Sequence, residues 1–143
     1  MKNPLSDKRK LILNLLRANA RMKNSEIARK TGLPASTVAA DIISIEKILG
    51  LKYAALLDYR IIGCSMRAAF IIAADKNIVC SLSSHGSVNS ISRISEDSNY
   101  LVETVFRSMK EMDNFAEDMA NSGAEIKRKF HIVEDLKREG FEI

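Results

Sequence analysis

The hydrophobic period of this 143-residue chain changes once, near residue 53, and that change demands two kinds of structure. Before it, apolar residues recur at three and four positions, the repeat of helices with one buried stripe; after it they run together or alternate, as in strands. Residues 6–18 place Leu11, Ile12, Leu15 and Leu16 on one helical stripe, with Ser6 positioned to cap the helix. A shorter helix is expected over residues 24–30 with Ile27 and Ala28 inward. It stops at "TGL", where Gly32 can take the left-handed conformation that a sharp turn requires. The third helix begins at Pro34, a residue tolerated in a first turn, and spaces Val38, Ile42, Ile45 and Leu49 for the core. Three short helices with a tight glycine turn between the second and third make a helix-turn-helix arrangement.

Beyond the change, "YAALLD" (Tyr53–Asp58) reads as a strand. Then come a strand over 66–74, a helix over 77–84, strands over 88–95 and 99–107, a helix over 110–122 and a strand over 125–134. The order is βαββαβ. Gly86 and Gly123 break helix from strand, and "SEDSN" is a polar turn between the middle strands. Alternation in "SVNSISRIS" turns Val88, Ile91 or Ile94 toward the helices and serines toward the other face. A four-stranded antiparallel sheet with both helices on one side leaves that face bare, and a second subunit is the simplest cover. Met109, Met112 and Met119 on the last helix fit core or assembly contacts. The tail "DLKREGFEI" carries Leu136, Phe141 and Ile143, apolar enough to dock on a neighbouring subunit.

Several function classes are poorly served by this sequence. No apolar run approaches the roughly 20 residues that span a bilayer, and Asn14, Arg17 and Asn19 interrupt any secretory core behind the basic start, so the cytoplasm is the expected location. Cys64 and Cys80 form no CxxC pair, and His85 and His131 lie in different segments. Neither a metal site, a disulfide nor a cofactor is indicated, and the thiols are expected to be small buried or half-buried groups. Without a glycine-rich phosphate loop, a nucleophile elbow or specially spaced carboxylates, the chain is not expected to be an enzyme. Charge is more informative. Residues 1–60 hold 12 Lys and Arg against 5 Asp and Glu, a net +7, whereas residues 61–143 hold 10 against 13, a net −3. The front of the chain suits a polyanion.

Together, "DKRKLILNLLRANAR", "NSEIARKTGLPASTV", the "IE" at 45 and 46, and "YAALLDYRIIG" resemble, in order and spacing, the Lrp/AsnC (feast/famine) transcriptional regulators. Tyr53, Ala55, Leu57, Asp58 and Gly63 fall at the spacing of that family's linker strand. The resemblance implies an α+β chain with a winged helix-turn-helix DNA-binding domain over 1–52, a linker strand over 53–65, and a ferredoxin-like βαββαβ (RAM-type) domain over 66–143. It further implies a homodimer, or a tetramer or octamer, that binds double-stranded DNA and in many members an amino-acid effector. Sirohaem decarboxylases share a similar layout, but their arginine-rich segment and aromatic-proline start are missing here.

The third helix is then the reading helix, with Ser36, Thr37, Ala40, Asp41, Ser44 and Lys47 outward. Arg21, Lys23, Arg29 and Lys30 are candidates for phosphate contacts, supported by Lys8, Arg9, Lys10, Arg17 and Lys52. Relatives usually carry basic side chains where this chain has Ala40, Asp41 and Ser44, so strong guanine readout is not expected. Asp41 either accepts from cytosine N4 or pairs with a nearby Arg or Lys. Glu96 stands where relatives have a turn glycine. Glu96, Asp97, Ser98, Asn99 and Tyr100 are candidates for binding an effector, with Glu96, Asp97 or Asn99 to hold its ammonium group, the alternative being a solvated turn. The rival function is a modulator that co-assembles with a paralogous regulator and binds DNA weakly or not at all by itself.

Overall fold

The computed structural model of the chain describes residues 5–138 and 140. It divides into two compact units, one holding the first three helices and the other running from Leu57 to Leu136. In the first unit, α1 (Asp7–Ala18), α2 (Asn24–Thr31) and α3 (Ala35–Leu49) enclose Ile12, Leu13, Leu16, Ile27, Val38 and Ile45, with Leu5 also buried. Each fully enclosed branched side chain contributes about 1.5–3 kcal/mol of transfer free energy. The buried arc of α1 is rotated from the expected stripe. Leu13 is enclosed while Leu11 is exposed, because α1 packs against both other helices and its covered arc centres on 12, 13 and 16. On α3, Val38 and Ile45 are enclosed and Ile42 is half-buried, but Leu49, in the last turn, is exposed.

Two local devices set this unit's geometry. At the turn after α2, Gly32 has φ +71°, its N–H donates to the Ala28 carbonyl (2.9 Å), and the Thr31 hydroxyl donates to the Ile27 carbonyl (2.8 Å). Between α1 and α3, the Arg9 guanidinium Nε donates to Asp41 Oδ1 at 2.7 Å, with the two side chains only 31% and 18% exposed. Asp41 lies within one turn of Val38 and Ile45, and therefore on the flank of the buried stripe.

The strand expected over Tyr53–Asp58 is not formed. Residues 51–58 have no regular secondary structure and 59–63 are turn. A strand exists only in a ladder, and among the described residues this segment has no ladder partner. The described residues of the first unit include no strand. The Tyr53 hydroxyl instead donates to Glu46 Oε1 (3.0 Å); burial first, then the neighbouring carboxylate, raises its pKa.

The second unit follows the expected order, with β1 (Met66–Ala73), α4 (Lys76–Ser83), β2 (Val88–Arg93), β3 (Asn99–Phe106), α5 (Met109–Asn121) and β4 (Glu125–His131). The sheet is antiparallel in the order β2-β3-β1-β4. Alternation sends Ala68, Phe70, Ile72, Val102 and Phe106 into a core shared with Leu82, Met112, Phe115 and Met119. Phe115 is its centre, with ring centroids 5.9 Å from Phe70 and 5.4 Å from Phe106. Among the described residues one polar side chain is enclosed there, Thr104, which donates to the Ala68 carbonyl at 2.9 Å.

The opposite face of the sheet carries Ala69, Ile71, Leu101 and Val105. A register shift on β4 puts Ile126 opposite Ile72 but Phe130 opposite Ala69. The extra residue turns Ile126 to the helices and leaves Phe130 on the open face, 46% exposed. Two expectations need correction: Ile94 lies past the end of β2 and is exposed, and Cys80 is exposed on α4. Cys64 is half-buried as expected, and Met109, the first residue of α5, lies outside the core. Of the apolar tail residues, Leu136 is exposed, and Phe141 and Ile143 lie outside the described residues.

Three substitutions test these devices. Gly32→Ala meets open space but forces a left-handed alanine, so urea unfolding should show a loss of about 1 kcal/mol. Asp41→Ala leaves a half-buried guanidinium without its carboxylate and should cost about 1 kcal/mol. Adding Arg9→Met to that variant should cost little more, because the partner is already gone; additive losses would show the pair to be uncoupled.

Candidate nucleic-acid interface

In the first unit the turn fixes where α3 starts and the core fixes its rotation. With Val38 and Ile45 enclosed, 3.6 residues per turn carry Ser36, Ala40, Ile43 and Lys47 to the opposite side of the helix, and all four are exposed. Thr37, exposed, and Ser44, half-buried, flank this stripe. Five of the six reading-helix candidates thus lie on or beside one face. Asp41 does not join them: its carboxylate is taken by Arg9 in the contact between α1 and α3. Of the two readings of Asp41, the structure bears out pairing with a nearby arginine.

Arg21, Lys23, Arg29 and Lys30 are exposed, Arg21 just before α2, Lys23 as its N-cap, and Arg29 and Lys30 in its last turn beside Gly32. Lys8 and Lys52 are also exposed. The stripe and its flanks therefore combine three hydroxyls, two apolar side chains and one cation, within a unit rich in surface cations. Sequence reasoning missed Ile43. It is 54% exposed, and its position five residues after Val38 and two before Ile45 carried the signal, because no rotation of α3 that buries those two can also bury it.

The effector candidates form a different kind of site. Glu96, Asp97 and Ser98 are exposed in the turn between β2 and β3, and Asn99 and Tyr100 are half-buried at the start of β3. The turn is held from within. Arg93 donates to the Ser95 and Glu96 carbonyls at 3.1 and 2.7 Å, Asn99 Nδ2 donates to Ser95 Oγ at 2.8 Å, and Ser98 adopts φ +57°. The Glu96 and Asp97 side chains are exposed and remain at the surface as charge for an ammonium group or for water. A cleft of about 380 Å³ lies elsewhere, between α4 and α5, lined by Ile78, Leu82, His85, Phe115 and Met119. Among the described residues no group of three or more His, Cys, Asp or Glu is placed to hold a metal ion, and no helix is long and apolar enough to cross a membrane.

A family model described as winged helix-turn-helix DNA-binding matches residues 5–40, which span α1, α2 and the start of α3. No curated protein matches the chain. Among solved structures, a transcriptional regulator from Neisseria meningitidis in complex with L-methionine is 20% identical, with a TM-score of 0.82 and coverage of 94% of this chain and 93% of that one. An AsnC family transcriptional regulator from Agrobacterium tumefaciens is 21% identical, with a TM-score of 0.80 and 94% coverage of both chains. A feast or famine regulatory protein from M. tuberculosis complexed with L-methionine is 18% identical, with a TM-score of 0.85 and coverage of 94% and 95%. At these identities the likeness establishes a fold: this chain has the α+β fold of those regulators, a helix-turn-helix unit followed by a ferredoxin-like βαββαβ unit, along nearly its whole length.

Proposed function

We propose that the chain is a DNA-binding transcriptional regulator of the Lrp/AsnC type that works as a homodimer or larger assembly in the cytoplasm. One observation carries the reading: a helix-turn-helix that matches a DNA-binding family model presents an outward face free of acidic side chains, because Asp41 is turned into the α1 contact. Cations around that face provide sequence-independent attraction to phosphates. Arg29 and Lys30 at the end of α2, Lys23 at its start and Arg21 just before it are the phosphate contacts, while Ser36, Thr37, Ala40, Ser44 and Lys47 meet the groove. Asp41 is withdrawn from that set.

The second unit supports assembly through its open sheet face, where Ala69, Ile71, Leu101, Val105 and Phe130 lie among Arg67, Glu103 and Arg128. Two of the structurally similar regulators are described as complexes with L-methionine. By analogy, an amino-acid effector is assigned to the Glu96–Tyr100 turn, with Glu96 or Asp97 holding its ammonium. The role is regulatory, with no catalysis. A co-assembling modulator without DNA binding is less well supported, because the acidic residue that suggested it faces Arg9 and not the groove.

Fluorescence anisotropy of the full chain on a duplex from its own upstream region, and on a scrambled duplex, tests the reading. Binding at low salt that falls steeply with added salt is expected, with tighter binding to the upstream duplex. Lys30→Ala should weaken both duplexes alike and reduce the salt slope by roughly one unit. Absence of binding to either duplex at low salt would refute the proposal.

A further inference from the structure

On the outward stripe of α3, Ile43 is 54% exposed between Ala40 and Lys47. It has no part in the core, whose α3 positions are filled by Val38 and Ile45 with Ile42 packed against them. Single exposed hydrophobes are common on protein surfaces; what marks Ile43 is its place at the middle of the outward stripe of a helix-turn-helix's third helix, where covering it would lower the free energy of a complex. The apolar surface here amounts to two side chains, Ala40 and Ile43. Ile48 and Leu49, also exposed, are turned from Ile43 by roughly a third of a helical turn or more and do not extend the patch. Two side chains fall far below the roughly 800 Å² per partner of a stable protein interface. Lys47 on the same stripe, with Arg29 and Lys30 exposed on α2, fits a polyanion instead.

In the major groove the thymine C5-methyl is the one apolar group among base-edge donors and acceptors. We infer that Ile43, with Ala40, is the specificity-determining contact of this chain and reads thymine methyls in its DNA site. Selectivity comes from covering methyl groups, where an arginine on guanine would otherwise supply it. Ser36, Thr37 and Ser44, which can donate to or accept from any base edge, add little discrimination of their own. The preferred half-site therefore carries thymine at the one or two positions under the middle of α3. This inference rests on the DNA-binding reading and deepens it.

The test uses the full chain and a duplex selected by it from a randomised pool. Each thymine of the selected site is replaced in turn by deoxyuridine, which removes the methyl and leaves base pairing and backbone unchanged. Loss of one covered methyl should weaken binding about fourfold at one or two positions and leave the others unaltered. Ile43→Ala should weaken binding to the thymine duplex and abolish the response to deoxyuridine at those positions. Ile43 is exposed, so this variant should fold, and its circular-dichroism melt checks that. Equal affinity for thymine and deoxyuridine duplexes, or an undiminished deoxyuridine effect in Ile43→Ala, would overturn the inference and leave DNA binding intact. Failure to bind any duplex from the pool would remove the DNA-binding reading itself, and the inference with it.

Discussion

The rotation of α3 about its own axis is the constraint on which the functional surface depends. Val38 and Ile45, seven residues and nearly two full turns apart, must both face α1 and α2, and the Arg9–Asp41 ion pair closes the flank of that contact. Once these three positions are committed, no freedom remains over which residues face out. Ser36, Ala40, Ile43 and Lys47 are on display because Val38, Asp41 and Ile45 are not. The pair is partly shielded from water, so a change at Asp41 acts first on how α3 is held and only then on anything that α3 touches.

This resolves the conflict between a basic N-terminal half and an acidic residue in the middle of its reading helix. A free carboxylate in a DNA groove would repel phosphates. Bonded to Arg9, it neutralises a cation and stiffens the unit instead. The cost is that Arg9 is engaged, so attraction to phosphates falls to the exposed cations of α2 and its approaches, Arg21, Lys23, Arg29 and Lys30.

Much of this was legible in the sequence, for identifiable reasons. All three helices and the complete βαββαβ order follow from spacing and turn chemistry, with ends within one to three residues of those observed, because each element has a strong period and a Gly or polar stop. What failed were features decided by packing between elements. Leu13 replaces Leu11 in the core because α1 is covered from two sides, which a single-helix stripe does not reveal. The Tyr53–Asp58 strand failed because a strand is a property of a pair, and a favourable sequence without a neighbour does not make one. The register shift on β4, which sends Ile126 and Phe130 to opposite faces, leaves no local mark in "EIKRKFH". At the interface, Arg9 and Asp41 are 32 residues apart, so their bond depends on how the helices pack. Ile43 was legible from its spacing, since a helix turned to bury Val38 and Ile45 must expose it.

The account stands on α3 presenting Ile43 to DNA while its neighbours stay enclosed. Isoleucine methyl NMR of the full chain, with and without a bound duplex, tests this directly. The Ile43 methyl signal should move strongly on adding DNA, while those of the enclosed Ile12, Ile27 and Ile45 and of Ile72 in the second unit shift little. An Ile43 signal that stays in place while the duplex binds, or shifts confined to the second unit, would show that DNA meets another surface and would contradict the account.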